Sequence, residues 1–173
     1  MTQITTERLL LRPFGEEDRT TFRRIHGDAG LTARMHRGAL DAAEANQLFA
    51  DYQAAFAKDG FGVRAITLKG GDGEMIGECG LWFRETAGGY TLRYMLVRPW
   101  WGQGLSGEAA RACVAEGFGP LGLKVIHAIA MDGNEHSVRV LKSLGMVKIE
   151  DSHRGIAGFG RYVLTPADFR HLG

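Results

Sequence analysis

The sequence predicts a single mixed α/β domain: one central, mostly antiparallel, twisted sheet of about seven strands with helices on both faces. Three observations predict it. The 173 residues, 45% hydrophobic and 24% charged, can bury one substantial core and are close to the length of one ordinary domain. The early strands are separated by short glycine turns, as antiparallel hairpins are. The later part alternates strand and helix patterns, which adds crossover connections to that sheet. No internal repeat, low-complexity run or linker interrupts the chain, so residues 1–173 read as one domain.

The elements follow in order. Arg8–Pro13, RLLLRP, is a short extended segment, and Glu16–His26 sets Phe22 and Ile25 among charges as a helix would. Asp41 with Glu44 three residues later forms a capping box for the run ANQLFADYQAAFA, which stops near Gly60. Phe61–Lys69 and Glu74–Phe83 are rich in strand formers and are joined by GGDG, a hairpin signal. A turn at Ala87–Gly89 leads to a strand at Tyr90–Val97. A glycine loop and helix then run to Phe118, followed by strand Lys124–Met131, helix Asn134–Ser143, strand Met146–Glu150 and a last strand at Phe159–Leu164.

Charge and composition exclude several classes. A formal net charge of +1 gives no preference for nucleic acid or a membrane surface. No stretch approaches the roughly 20 apolar residues of a membrane span, and no charged start precedes a long apolar run. The expectation is a soluble cytoplasmic protein. Cys79 and Cys113 lack C-x-x-C spacing and partnered histidines, so they read as small buried thiols, with no metal site.

The stretch WWGQGLSGEAARACVAEGF carries Gly102, Gly104 and Gly107 in G-x-G-x-x-G spacing ahead of an alanine-rich helix. A dinucleotide fingerprint follows its strand directly and has an acidic residue about 20 positions on. Here Arg98–Trp101 intervene, His127 stands where that acid should be, and too few strands remain for a doubly wound domain. The same physics suits another phosphate. Small residues at Gly102, Gly104, Ser106 and Gly107 leave backbone N–H groups uncovered where a loop becomes a helix, and the dipole there favours an anion. A second motif, NEHSVRVLKSLGM from Asn134 to Met146, offers Asn134 as a helix cap with Ser137 on the first turn.

Together these segments resemble the GNAT superfamily of acyl-CoA-dependent N-acetyltransferases, and within it the RimJ/RimL-type ribosomal-protein N-terminal acetyltransferases. The resemblance runs through TERLLLRPF at Thr6–Phe14, EMIGECGL at Glu74–Leu81, RPWWGQGLSGEA at Arg98–Ala109 and the N-x-x-S segment. It implies that acetyl-CoA is the cosubstrate. Its pyrophosphate would lie on the backbone amides of Gly102, Gln103, Gly104, Leu105, Ser106 and Gly107, with Asn134 at the pantetheine arm and Ser137 near the thioester sulfur. It also implies a sheet splayed at the cofactor site, with backbone groups of Met95, Leu96 and Val97 facing the cofactor. Homodimers are common in such a family.

Some positions depart from the family pattern. Ser106 replaces a usual Gly or Ala, Met146 replaces an aromatic, and Leu141 stands where many members place a tyrosine general acid. The RimL-like branch uses the serine instead, which makes Ser137 the candidate acid. That branch also often carries a glutamate on the strand before the loop, where this chain has Thr91.

The implied reaction is attack of a neutral amine on a thioester, with a backbone amide stabilising the oxyanion. At pH 7 a lysine of pKa ~10.4 is neutral in under about one molecule per thousand, and an α-amine near ~8 in roughly one in ten. A peptide or protein N-terminal α-amine is therefore the favoured acceptor. A small-molecule amine, or a catalytically weak acyl-CoA-binding module, is the alternative. Glu78, on one strand face with Ile76, Gly80 and Trp82, is the candidate base, with burial expected to raise its pKa. His36, His136 and His153 are further proton-relay candidates, and Trp82, Trp100 and Trp101 candidate pocket walls.

Overall fold

Alternation of Leu9 and Leu11 against Leu10 and Arg12 turns both core leucines to one side of a strand, and that strand begins a continuous sheet. The computed structural model describes residues 3–35, 37–153 and 155–170. Among these, β1 (Ile4–Thr5), β2 (Leu9–Arg12), β3 (Val63–Leu68), β4 (Gly77–Arg84), β5 (Gly89–Leu96), β6 (Ile126–Met131), β7 (Val147–His153) and β8 (Ile156–Leu164) form one sheet. Its order is β1-β2-β3-β4-β5-β6-β8-β7, and β5–β6 is the one parallel pair among the described residues.

Helices cover both faces. On one, α1 (Arg19–Gly27) and α3 (Ala42–Asp59) bury Phe22, Ile25, Phe49 and Tyr52 against Val63, Ala65 and Met95. On the other, α4 (Leu105–Phe118) and α5 (Glu135–Ser143) bury Ala109, Cys113, Val140 and Leu141 against Leu81, Leu92 and Leu96. Two short helices, α2 (Ala29–Thr32) and α6 (Pro166–Arg170), complete the described chain. The capping box at Asp41 and Glu44 forms in both directions, at 2.8 and 2.9 Å, and Gly60 ends α3 in the left-handed conformation. Both cysteines are free and buried.

Three details differ from the sequence reading. β1 adds a strand too short to show a pattern. β4 begins at Gly77 rather than Glu74, because Met75 and Ile76 turn into the core and the Ile76 N–H donates to Ile66 O. The last strand starts at Ile156 and inserts between β6 and β7, pairing antiparallel with both. The molecule also contains a buried ion pair that no local motif announces: the Arg64 guanidinium on β3 donates to both Glu116 oxygens on α4, at 2.8 and 2.7 Å.

The feature that positions the site is the seam between β5 and β6. They share a single bridge, Thr91 with His127, although β5 continues to Leu96 and β6 to Met131. Beyond that bridge lies a cavity of about 190 Å3, walled on one side by Leu92–Tyr94 and on the other by Ala128–Met131.

Candidate active site

Antiparallel pairing decides which backbone groups face this opening. The Val97 N–H donates to Ile76 O, in register with Glu78 opposite Met95 and Gly80 opposite Arg93. In an antiparallel ladder the residues between such pairs point their N–H and C=O groups the other way. Leu92, Tyr94 and Leu96 therefore turn their backbone toward β6, while Met95 and Val97 turn theirs toward β4. Of the three residues expected to face a cofactor by their backbone, the register selects Leu96. Its carbonyl already accepts the Trp101 indole N–H at 2.6 Å, which leaves its N–H.

At one end of β5 the chain makes a turn with Gly102 and Gly104 both at positive φ, 75° and 76°, conformations that side chains rarely adopt. Gly104 is the N-cap of α4 and offers no side chain, so the first-turn amides of Leu105, Ser106 and Gly107 receive no cap; the first helical bond is Glu108 N–H to Gly104 O. A Cβ at Gly107 would meet nothing within 4 Å. The turn thus presents uncovered donors beside open space, which fits a pyrophosphate. It is also held rigidly. Glu108 accepts from Thr6 Oγ1 at 2.6 Å and from the Arg8 N–H and Nε at 2.9 and 2.7 Å, and Arg8 Nη1 donates to Gln103 O at 3.0 Å. This anchoring gives the Thr6–Phe14 segment its role.

At the seam, Asn134 caps α5 by accepting the Ser137 N–H at 3.2 Å, and both residues line the cavity. Ser137 Oγ lies 2.8 Å from the Tyr94 hydroxyl, which also donates to Ser137 O at 3.0 Å. Burial pushes the Tyr94 phenol up, so it stays protonated. Leu141 is fully buried in the core. Tyr94 was missed from the sequence, because it sits on a strand 43 residues from its partner; its place on the strand before the glycine loop was the available signal.

On the opposite sheet face, Glu78 is completely buried between the His26 ring and the Arg93 guanidinium. One carboxylate oxygen lies 3.0 Å from His26 Nε2 and the other 3.0 Å from Arg93 Nε. The Glu78 pKa is lowered, not raised as its burial alone implies. Burial does push Glu78 up, but attraction and hydrogen bonding from His26 and Arg93 outweigh it and hold the carboxyl at about 2.

The sequence model of the Acetyltransferase (GNAT) domain matches residues 8–147. The chain belongs to the GNAT acetyltransferase family. Its acyl donor is accordingly acetyl-CoA. It is 29% identical over 153 residues to the uncharacterized N-acetyltransferase p20 of Bacillus licheniformis, covering 86% of this chain and 84% of that protein. Among solved structures, an acetyltransferase from Agrobacterium tumefaciens superposes with a TM-score of 0.85 at 24% identity, over 95% of this chain and 94% of that one. RimL, a ribosomal alpha-N-protein acetyltransferase in complex with coenzyme A, superposes with a TM-score of 0.72 at 15% identity, over 94% and 97%. At those identities the likeness of the structures is one of fold.

Within this GNAT domain the seam gathers Asn134 and Ser137 with Tyr94, and the glycine turn gathers Gly102 to Gly107. Thr91 and Trp82 line the cavity, while Trp100 walls a separate pocket and Trp101 is half exposed. His136 is exposed on α5, outside the cavity lining. His36 and the side chain of His153 lie outside the described residues. Among the described residues no cluster suited to a metal ion occurs, and no helix is long and apolar enough to cross a membrane.

Proposed function

We propose that this GNAT chain transfers acetyl to the α-amine of a peptide or protein N-terminus by direct attack on the thioester, in the manner of the RimJ/RimL branch. The observation that carries the reading is the seam, where a strand pair held by one bridge opens beside the uncovered α4 amides and the Ser137–Tyr94 pair. Likeness in fold to RimL supports the acceptor class. The cavity volume of about 190 Å3 favours a second reading, a small free amine, because it is tight for a side chain beyond the reacting residue.

Acetyl-CoA supplies an activated carbonyl. The chain's own groups do the rest. The amides of Gly102–Gly107 hold the pyrophosphate, and Asn134 and the Leu96 N–H position the arm. The same strand supplies the oxyanion donor. Ser137 gives its proton to the departing sulfur and is reprotonated by the proton that the attacking amine releases to solvent, while the Tyr94 hydroxyl, donating to Ser137 O, holds the serine in place. Glu78 does not take the amine proton: a carboxylate held at about 2 is a poor base at neutral pH, and both its oxygens are occupied. An α-amine that is neutral in roughly one molecule in ten at pH 7 needs little help.

Thermal unfolding with excess acetyl-CoA, coenzyme A, NAD and NADP in parallel tests the cofactor assignment. Ligand at one hundred times its Kd adds ~2.7 kcal/mol, or roughly 5–10 °C here. A shift with the two CoA species alone is expected, followed by acetylation of amidated peptides. Failure of every peptide, with small amines acetylated, would overturn the N-terminal acceptor.

A further inference from the structure

The α1–α3 side of the cavity contains polar groups that acetyl transfer does not use. Tyr52 is completely buried, lines the cavity, and its hydroxyl has no hydrogen-bond partner among the described residues. A buried unpaired hydroxyl is costly and calls for a ligand or water. Beside it, the Arg93 guanidinium centre lies 5.8 Å from the Tyr52 ring. Arg93 also lines the cavity, and Glu78 holds it through Nε alone, at 3.0 Å. Its two terminal nitrogens have no protein partner among the described residues. Glu78 is itself fixed from behind by His26. The result is a guanidinium whose stem is locked and whose outer edge faces the cavity.

The wider lining has the same sign. Arg34, Arg37 and Arg84 contribute to it, and among the described residues no Asp or Glu does. Such a wall repels a cationic acceptor and attracts an anionic one. The outer edge of an arginine and a neighbouring phenol hydroxyl together match the two oxygens of a carboxylate.

We propose that the acceptor carries a carboxylate a few bonds from its amine nitrogen, bound by Arg93 and the Tyr52 hydroxyl. The spacing follows from the strand: Arg93 and Tyr94 are consecutive, with α-carbons about 3.8 Å apart, and they project to opposite faces at the open seam. An amine presented on the Tyr94 side therefore leaves room for only a short tether to the Arg93 side. The proposal rests on the amine-acetylating reading above. Two acceptors supply this chemistry: a free amino acid through its own carboxylate, and a peptide whose first residue is acidic.

The test compares charged and uncharged pairs. Aspartate and alanine are assayed against their fully amidated forms, and the amidated dipeptide Asp-Ala against Asn-Ala. Calorimetric binding of each to the protein without acetyl-CoA gives a readout independent of turnover. The expected result is a preference of at least tenfold in kcat/KM, and in binding, for the carboxylate-bearing member, with Tyr52→Phe and Arg93→Gln reducing it mainly through KM. Preference confined to free amino acids assigns the site to an α-carboxylate; preference for Asp-Ala over Asn-Ala assigns it to an acidic N-terminal residue. Tyr52→Phe removes only an unpartnered hydroxyl and guards against a misfolded Arg93 variant. Equal use and equal binding of charged and neutral members by the wild-type protein would overturn the proposal while leaving acetyl transfer intact. Absence of any turnover would instead overturn the amine-acetylating reading, and the binding pairs would still decide this one.

Discussion

Replacing Glu78 with Gln should remove a definite amount of stability with a definite pH dependence. In the folded chain the carboxyl is held at about 2 instead of its ordinary 4.5. A depressed carboxyl stabilises the fold fully above its unfolded pKa, and the contribution disappears as pH falls toward the folded value. For this difference the contribution above pH 5 is about 3 kcal/mol, of which roughly 1 is gone at pH 4 and about 2 at pH 3. Gln preserves shape but must present an amide N–H2 to either His26 or Arg93, and it has no such titration. Urea unfolding of both proteins at pH 7, 5 and 4 measures the gap. We expect about 3 kcal/mol at pH 7, narrowing by roughly 1 at pH 4. A gap that stays constant over that range, or a variant as stable as the wild type at pH 7, would refute the ion-pair argument. The pH profile of kcat/KM supplies a second check. The rise due to the amine should persist in the variant, because Glu78 is not the group that receives its proton.

Gly107→Val places a side chain in space that is empty around the first turn of α4; acetyl-CoA affinity should fall at least tenfold in calorimetry with the melting temperature unchanged or higher, since Gly is a poor helix former. Gly104→Val is a less clean test, because φ of 76° strains any branched residue there. Ser137→Ala should lower kcat by about tenfold to a thousandfold with acetyl-CoA binding nearly intact, and Tyr94→Phe should give a smaller loss in the same direction; unchanged single-turnover rates would remove Ser137 from proton transfer and Tyr94 from positioning it. Glu116→Gln should cost about 3–5 kcal/mol in urea unfolding by stranding the buried Arg64 cation, with little effect on KM. Tyr52→Phe should raise stability by about 1–3 kcal/mol in the absence of acceptor, by removing a buried hydroxyl that has no partner.

What the sequence made legible was whatever is encoded locally. The capping box at Asp41, the left-handed glycines of the α4 turn and the Asn134 cap are short-range devices, in which a residue type answers a backbone requirement within a few positions. Glu78 shows where that kind of reading ends. Its burial could be inferred from alternation along β4, and burial alone raises a carboxyl; the sign reverses because α1 brings in His26 from 52 residues away and β5 brings in Arg93. Neither neighbour has a sequence signature. Register carries the same lesson for β5. A run of three residues was expected to face the cofactor, but a ladder alternates, so Met95 and Val97 are committed to β4 while Leu92, Tyr94 and Leu96 face the seam. The side chains alternate as well. Tyr94 falls on the α5 side with Ser137, and Arg93 falls on the α1–α3 side with Glu78 and Tyr52. In a closed sheet these two groups could not serve one molecule. Here β5 and β6 part after Thr91, so the edge between them is open to both faces, and under the proposed reading consecutive residues serve the thioester side and the acceptor side. On that reading the splay would do more than admit an extended arm: it would join two chemistries that strand periodicity otherwise keeps apart.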